Sequence, residues 1–183
     1  MQASDSHLLI DARRGTEVAF LELYRRYRIP VFRFAFRLTG SSASAEDVTQ
    51  ECFLALLAGA SFDAARGDLR TYLFGIVRNL ALRRLRIAER ECEEAEDLAS
   101  PEDPAAELIS AERAELVGRA VGELPPLQKE ALILFEYEDL SLEEIAAVTG
   151  VDTGAVKARL HRARQALRRR LTPLLADCAE RNF

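Results

Sequence analysis

The sequence predicts an all-α protein: two small helical domains joined by a flexible acidic linker, with a helix-turn-helix in the second. Three observations predict it. Apolar residues recur at helical spacing through both halves, and no alternating strand pattern bounded by hairpin turns appears. Residues 91–107 lack helical periodicity, contain Pro101 and Pro104, and are dense in acids. Residues 141–171 set a capping box, a turn glycine and a basic helix in succession. The expected division is 1–90, a linker over 91–110, and 111–183. Each half is small but able to hold a helical core.

Composition narrows the function classes. With 49% hydrophobic and 30% charged residues, the 183-residue chain is neither disordered throughout nor a disulfide-rich scaffold. No apolar run approaches the ~20 residues a membrane span needs. The first residues, MQASDSHLLIDARRG, lack the basic start and apolar core of a secretory signal. Cys52, Cys92 and Cys178 are scattered and odd in number, which fits a reducing, cytoplasmic setting.

The net charge of −5 argues at face value against nucleic acid, but its distribution reverses that reading. Residues 89–115 hold eleven acids and two bases, so the remainder is net positive. From Thr153 to Leu171 there are seven bases and no acid, and from Arg66 to Ile87 six arginines and one acid. Either run alone fits a solvated helix face. Two together, each on a recognisable helix, favour a polyanionic partner.

In the first half, Thr16–Arg28 and Val31–Leu38 read as two helices with Pro30 marking a kink or break. Their aromatic-rich surface (Phe20, Tyr24, Tyr27, Phe32, Phe36) reads as core. A helix over 45–57 follows, with Ser44 as N-cap. Val48, Cys52 and Leu56 fall on its inner face; Asp47, Gln50, Glu51 and Leu54 form an outer stripe. Acids, an amide and an exposed leucine suit a protein partner, and equally an ordinary solvated face. After a turn-rich stretch, Asp68 caps a helix over 69–88 with Leu69, Leu73, Ile76 and Leu80 as its core stripe.

Residues 141–171 carry the most information. Ser141 and Glu144 form the box S-x-x-E, Ala146 leaves room for a crossing helix, Gly150 supplies a left-handed turn residue, and Val151 anchors the turn. Asp152 or Thr153 then caps a second helix with Val156, Leu160, Ala163 and Leu167 inward. This is helix-turn-helix spacing. With those residues buried, Lys157, Ala158, His161 and Arg162 share a narrow outward face suited to base edges in a major groove. Arg159, Arg164 and Arg168 lie to its sides, toward phosphates. His161 fits a base contact or a plain surface position equally well. No metal site is expected, and no nucleophile–base pair, phosphate-binding glycine loop or cofactor motif suggests an enzyme.

These motifs together resemble the sigma factors of bacterial RNA polymerase, specifically the extracytoplasmic-function (ECF) group. The pieces A-E-D-x-x-Q-E-x-F, R-T-x-L-x-x-I-x-R-N and V-K-x-R-L-x-R-A-R occur here in that family's order and spacing. The resemblance implies a transcription initiation factor that binds core RNA polymerase, recognises −35 and −10 promoter elements and promotes strand opening. It assigns Asp47, Gln50 and Glu51 to the polymerase clamp; geometry alone adds Leu54. It assigns Arg70, Tyr72, Arg78 and Asn79, with a capturing loop that includes Ser61 and Arg66, to the −10 element. It assigns Lys157, Ala158, His161 and Arg162 to the −35 element, the same four that periodicity selects. An anti-sigma protein is a further expected partner. The chain departs from the family pattern where Tyr72 replaces a frequent Trp, Thr149 an apolar residue, Ala158 a small hydroxyl residue and Arg83 an acid. The acidic linker reaches at most ~60 Å and is expected to lie in a basic channel of the polymerase. A self-sufficient repressor would need its own dimer interface, for which no heptad segment is visible.

Overall fold

The computed structural model describes residues 4–59, 62, 67–92 and 108–180, with side chains described for 4–59, 62, 67–87 and 115–172. Among these residues there are eight helices and no strand: α1 (Asp5–Arg13), α2 (Glu17–Thr39), α3 (Ser42–Leu57), α4 (Leu69–Cys92), α5 (Leu108–Gly122), α6 (Pro126–Glu136), α7 (Leu142–Thr149) and α8 (Thr153–Glu180). The expected all-α class is what forms. Most of the expected linker lies outside the described residues. At its edges, α4 runs on through Cys92 and α5 begins at Leu108.

The first half is a bundle of α1–α4. Leu23, Val31, Phe34, Val48, Leu56, Leu73 and Phe74 are fully enclosed in it. Phe34 and Phe74 meet at 5.0 Å between ring centroids, joining α2 to α4. Helix α1 does not feature in the sequence reading. Ser4 caps it, and Asp5 ties it to α2 by accepting from Arg26 at 2.7 Å and from the Tyr27 hydroxyl.

Three local expectations are corrected. Pro30 does not divide two helices: α2 continues through it. Burial of Leu23 on one side and Val31 and Phe34 on the other outweighs the backbone bond that proline forfeits. The N-cap of α3 is Ser41, not Ser44; its hydroxyl accepts from the Ser44 amide at 3.3 Å. Gly40 ends α2 in a left-handed turn (φ 71°), so the first serine beyond it takes the cap. The core stripe of α4 is wider than expected. Leu69 and Leu73 are buried as read, but so are Phe74, Val77 and Ala81, while Ile76 and Leu80 are only half-buried. Helix α4 packs on α2 and α3 at one side and on α7 at another, so a single stripe underestimates its apolar face.

The second half packs α5, α6 and α7 against α8. Its turn chemistry follows the sequence closely. Ser141 and Glu144 make both capping-box bonds, at 3.2 and 2.7 Å. Gly150 is left-handed, φ 70°. Of the two candidate caps for α8, Asp152 does the work, accepting from the Ala155 amide at 2.8 Å. Thr149 is buried where an apolar residue is usual, and its hydroxyl is satisfied by donating to the Ile145 carbonyl at 2.7 Å. The two halves also touch: α7 packs on α4 and α6 on α2, so one continuous core runs through both.

Candidate nucleic-acid interface

Helix α8 presents the expected outward face. Val156, Leu160 and Ala163 are buried, and Leu167 half-buried, against α6 and α7. Lys157, His161 and Arg162 stand exposed on the other side, with Ala158 half-buried between them. Arg168 is exposed. Arg164 is exposed too, but it lies over the Phe135 ring and donates to Glu136 at 2.8 Å.

Arg159 is placed differently from its sequence reading. It does not flank an open groove. Its side chain is only 16% exposed and its Nη1 donates to Glu130 Oε1 at 3.0 Å. Glu130, on α6, is completely buried. The same carboxylate receives Arg78 of α4, through Nε at 2.7 Å and Nη2 at 3.1 Å. One buried acid thus holds an arginine from each expected DNA-reading helix.

A second acid repeats the pattern. Glu138, in the turn between α6 and α7, is 3% exposed and accepts from Arg37 of α2 at 3.3 Å and Arg70 of α4 at 3.1 Å. Loss of hydration raises the Glu138 pKa above the ordinary carboxylate range, while the arginines oppose that shift. Nearby, Lys129 donates to the Leu38 carbonyl at 3.2 Å, and the Arg37 guanidinium lies over Tyr137. Burial depresses the Lys129 pKa. Glu130 and Glu138 escaped the sequence reading. A signal existed for Glu130: it sits three and four residues before Ile133 and Leu134, an acid on the apolar face of its helix.

The remaining −10 candidates are not all on one open surface. Asn79 is exposed, whereas Tyr72 is half-buried against Phe62, with ring centroids 5.5 Å apart. Ser61 and Arg66 lie outside the described residues. On α3, Asp47, Gln50, Glu51 and Leu54 are all exposed, Leu54 to 65%. The structure brings these four together as read, and adds Arg84 of α4, which pairs with Asp47 at 2.8 Å and with Glu51. Gln50 also borders a groove between α2 and α3 lined by Tyr24, Ile29 and Phe32.

Among the described residues, no group of three His, Cys, Asp or Glu side chains could hold a metal ion, and no helix is long and apolar enough to cross a membrane.

A helical bundle followed by a helix-turn-helix, each with a basic helix, is the frame of a DNA-binding transcription protein. Comparison with known proteins makes this specific. Residues 23–91 match sigma-70 region 2, and residues 114–167 match sigma-70 region 4. The chain is 31% identical to the ECF RNA polymerase sigma-E factor of Escherichia coli K12, over 95% of this chain and 97% of that one. It is 37% identical to the ECF RNA polymerase sigma factor SigE of Mycolicibacterium smegmatis, over 87% of this chain but 64% of that longer relative. Among solved structures it is similar to the sigma factor RpoE of Bartonella quintana in complex with the anti-sigma factor NepR (26% identity, TM-score 0.71, 83% of this chain and 96% of that one). It is also similar to CnrH in complex with the cytosolic domain of CnrY (26% identity, TM-score 0.65, 96% and 99%). The chain belongs to the ECF RNA polymerase sigma factors. Its function is promoter recognition and transcription initiation by RNA polymerase, as an initiation factor.

Proposed function

We propose that residues 1–90 dock on core polymerase and read the −10 element, that residues 111–183 read the −35 element, and that 91–110 join them. The exposed face of α8 carries this reading: Lys157, Ala158, His161 and Arg162 lie opposite the buried Val156, Leu160 and Ala163. A helix held this way enters a major groove with donors toward base edges, while Arg164 and Arg168 approach phosphates. In the first half, Asn79, Arg70, Tyr72 and Arg78 of α4, with Ser61 and Arg66 of the preceding loop, capture the −10 strand and promote opening. Asp47, Gln50, Glu51 and Leu54 meet the polymerase clamp. The chain works in the cytoplasm, has no catalytic activity of its own and is restrained by an anti-sigma protein. The sigma factor RpoE of Bartonella quintana, held by the anti-sigma factor NepR, supports that last point.

Transcription of the source organism's genomic DNA by purified core polymerase plus this chain, with 5′ ends mapped by sequencing, tests the reading. The double variant Lys157→Glu, Arg162→Glu is expected to reduce the mapped starts more than ~10-fold, since each good base-edge contact is worth ~1–3 kcal/mol, while still binding core. Starts unchanged in position and yield would overturn it.

A further inference from the structure

Asp47 and Glu51 stand one turn apart on α3, where two like charges repel. Arg84 of α4 answers both, from 37 and 33 residues away. Its Nη1 donates to Asp47 Oδ2 at 2.8 Å and its Nη2 to Glu51 Oε1. One guanidinium bridges the two acids, and its planar fork fixes the spacing between them. The bridge takes one oxygen of each carboxylate. Asp47 Oδ1 and Glu51 Oε2 make no hydrogen bond among the described residues, and the two side chains stay 60% and 46% exposed. Leu54, one turn beyond Glu51, is exposed beside them.

Such an exposed cluster adds little to folding, because solvent screens it. Its consequence lies in binding. A flexible side chain loses rotamer freedom when a partner fixes it, and that loss weakens association. Asp47 and Glu51 are fixed beforehand. Their mutual repulsion would also grow as a partner excluded water, and Arg84 supplies the opposing charge in advance. We infer that Arg84 is a positioning residue for docking on core polymerase: it presets Asp47 and Glu51 as a rigid pair of acceptors for a basic surface, with Leu54 open beside them. The inference rests on the proposed assignment of this stripe to polymerase. The surface it fits carries two arginine or lysine donors spaced to the two free oxygens, next to an apolar spot for Leu54.

Affinity for purified core polymerase, measured by competition against the labelled wild-type chain in ~0.5 M salt, tests this. At that ionic strength a change in net charge is largely screened. Arg84→Ala is expected to bind core at least ~5-fold more weakly, since two side chains are released, with its urea midpoint unchanged. Arg84→Lys keeps the charge but not the fork, and is expected to restore little of the loss. In the background Asp47→Ala, Glu51→Ala, adding Arg84→Ala is expected to change nothing further, because Arg84 acts only through those acids. Wild-type affinity for Arg84→Ala would overturn the inference. Full recovery by Arg84→Lys would do the same by showing that charge alone suffices, as would an undiminished effect of Arg84→Ala once the acids are gone. These three results leave the clamp assignment standing. Wild-type core affinity for the Asp47→Ala, Glu51→Ala variant would instead remove that assignment, and this inference with it.

Discussion

At the scale of single residues, burial decides chemistry. Cys52 lies fully enclosed on α3, its thiol directed at the Leu73 carbonyl 3.8 Å away. Desolvation pushes its pKa up to about 12 from an ordinary 9.0. The thiolate is the reactive form, so Cys52 is inert while the protein is folded. Alkylation with iodoacetamide near pH 8, followed by peptide mapping, is expected to leave Cys52 unmodified in buffer and label it in denaturant. Labelling of the native protein at the rate of the denatured one would contradict this burial. The sign of the pH effect follows. The folded thiol titrates above the unfolded one, so its contribution to stability is complete below about pH 9 and is lost as pH rises toward about 12. Thr149 shows the complementary rule. A buried hydroxyl is tolerated in the turn core because it bonds back to the Ile145 carbonyl.

At the scale of elements, the helix-turn-helix depends on backbone conformation more than on contact. Gly150 has φ 70°, and a Cβ added there would meet nothing within 4 Å. The cost of a side chain is thus conformational: Gly150→Ala is expected to lose about 1–2 kcal/mol, read as a lower urea midpoint. Gly150→Asn should lose less, since Asn visits the left-handed region more readily. Equal losses for both would point to crowding instead. These turn residues were legible in advance because capping boxes and left-handed glycines are local devices. The break at Pro30, one of the two alternatives the sequence left open there, does not form, for the opposite reason. Proline's local cost is real, but Val31 and Phe34 are buried just beyond it, and that packing keeps α2 whole.

At the scale of the whole molecule, ion pairs join the halves. Arg70 and Glu138 are 68 residues apart in sequence and 3.1 Å apart in space. A double-mutant cycle of Arg70→Ala and Glu138→Ala, measured by urea unfolding, is expected to give a coupling of roughly 0.5–2 kcal/mol. The lower part of that range applies if water screens the partly exposed Arg70. Additive losses would show that the pair contributes nothing to holding the halves together. The exposed pairs of Arg84 with Asp47 and Glu51 are a different case, since they sit within the first half and on its surface. They partly neutralise the acidic stripe without binding the halves to one another.

The sequence alone determined the helical class, the site and chemistry of the helix-turn-helix, the outward face of α8 and the stripe on α3. Each of these is written in periodicity or in residues a few positions apart. The tertiary structure alone decided which charges are available. Arg78 and Arg159 lie 52 and 29 residues from Glu130, and no local pattern pairs them. Whether a basic side chain faces solvent or a buried acid depends on which helix surfaces meet, and that is fixed only when the apolar faces of α2, α4, α6 and α7 pack into one core.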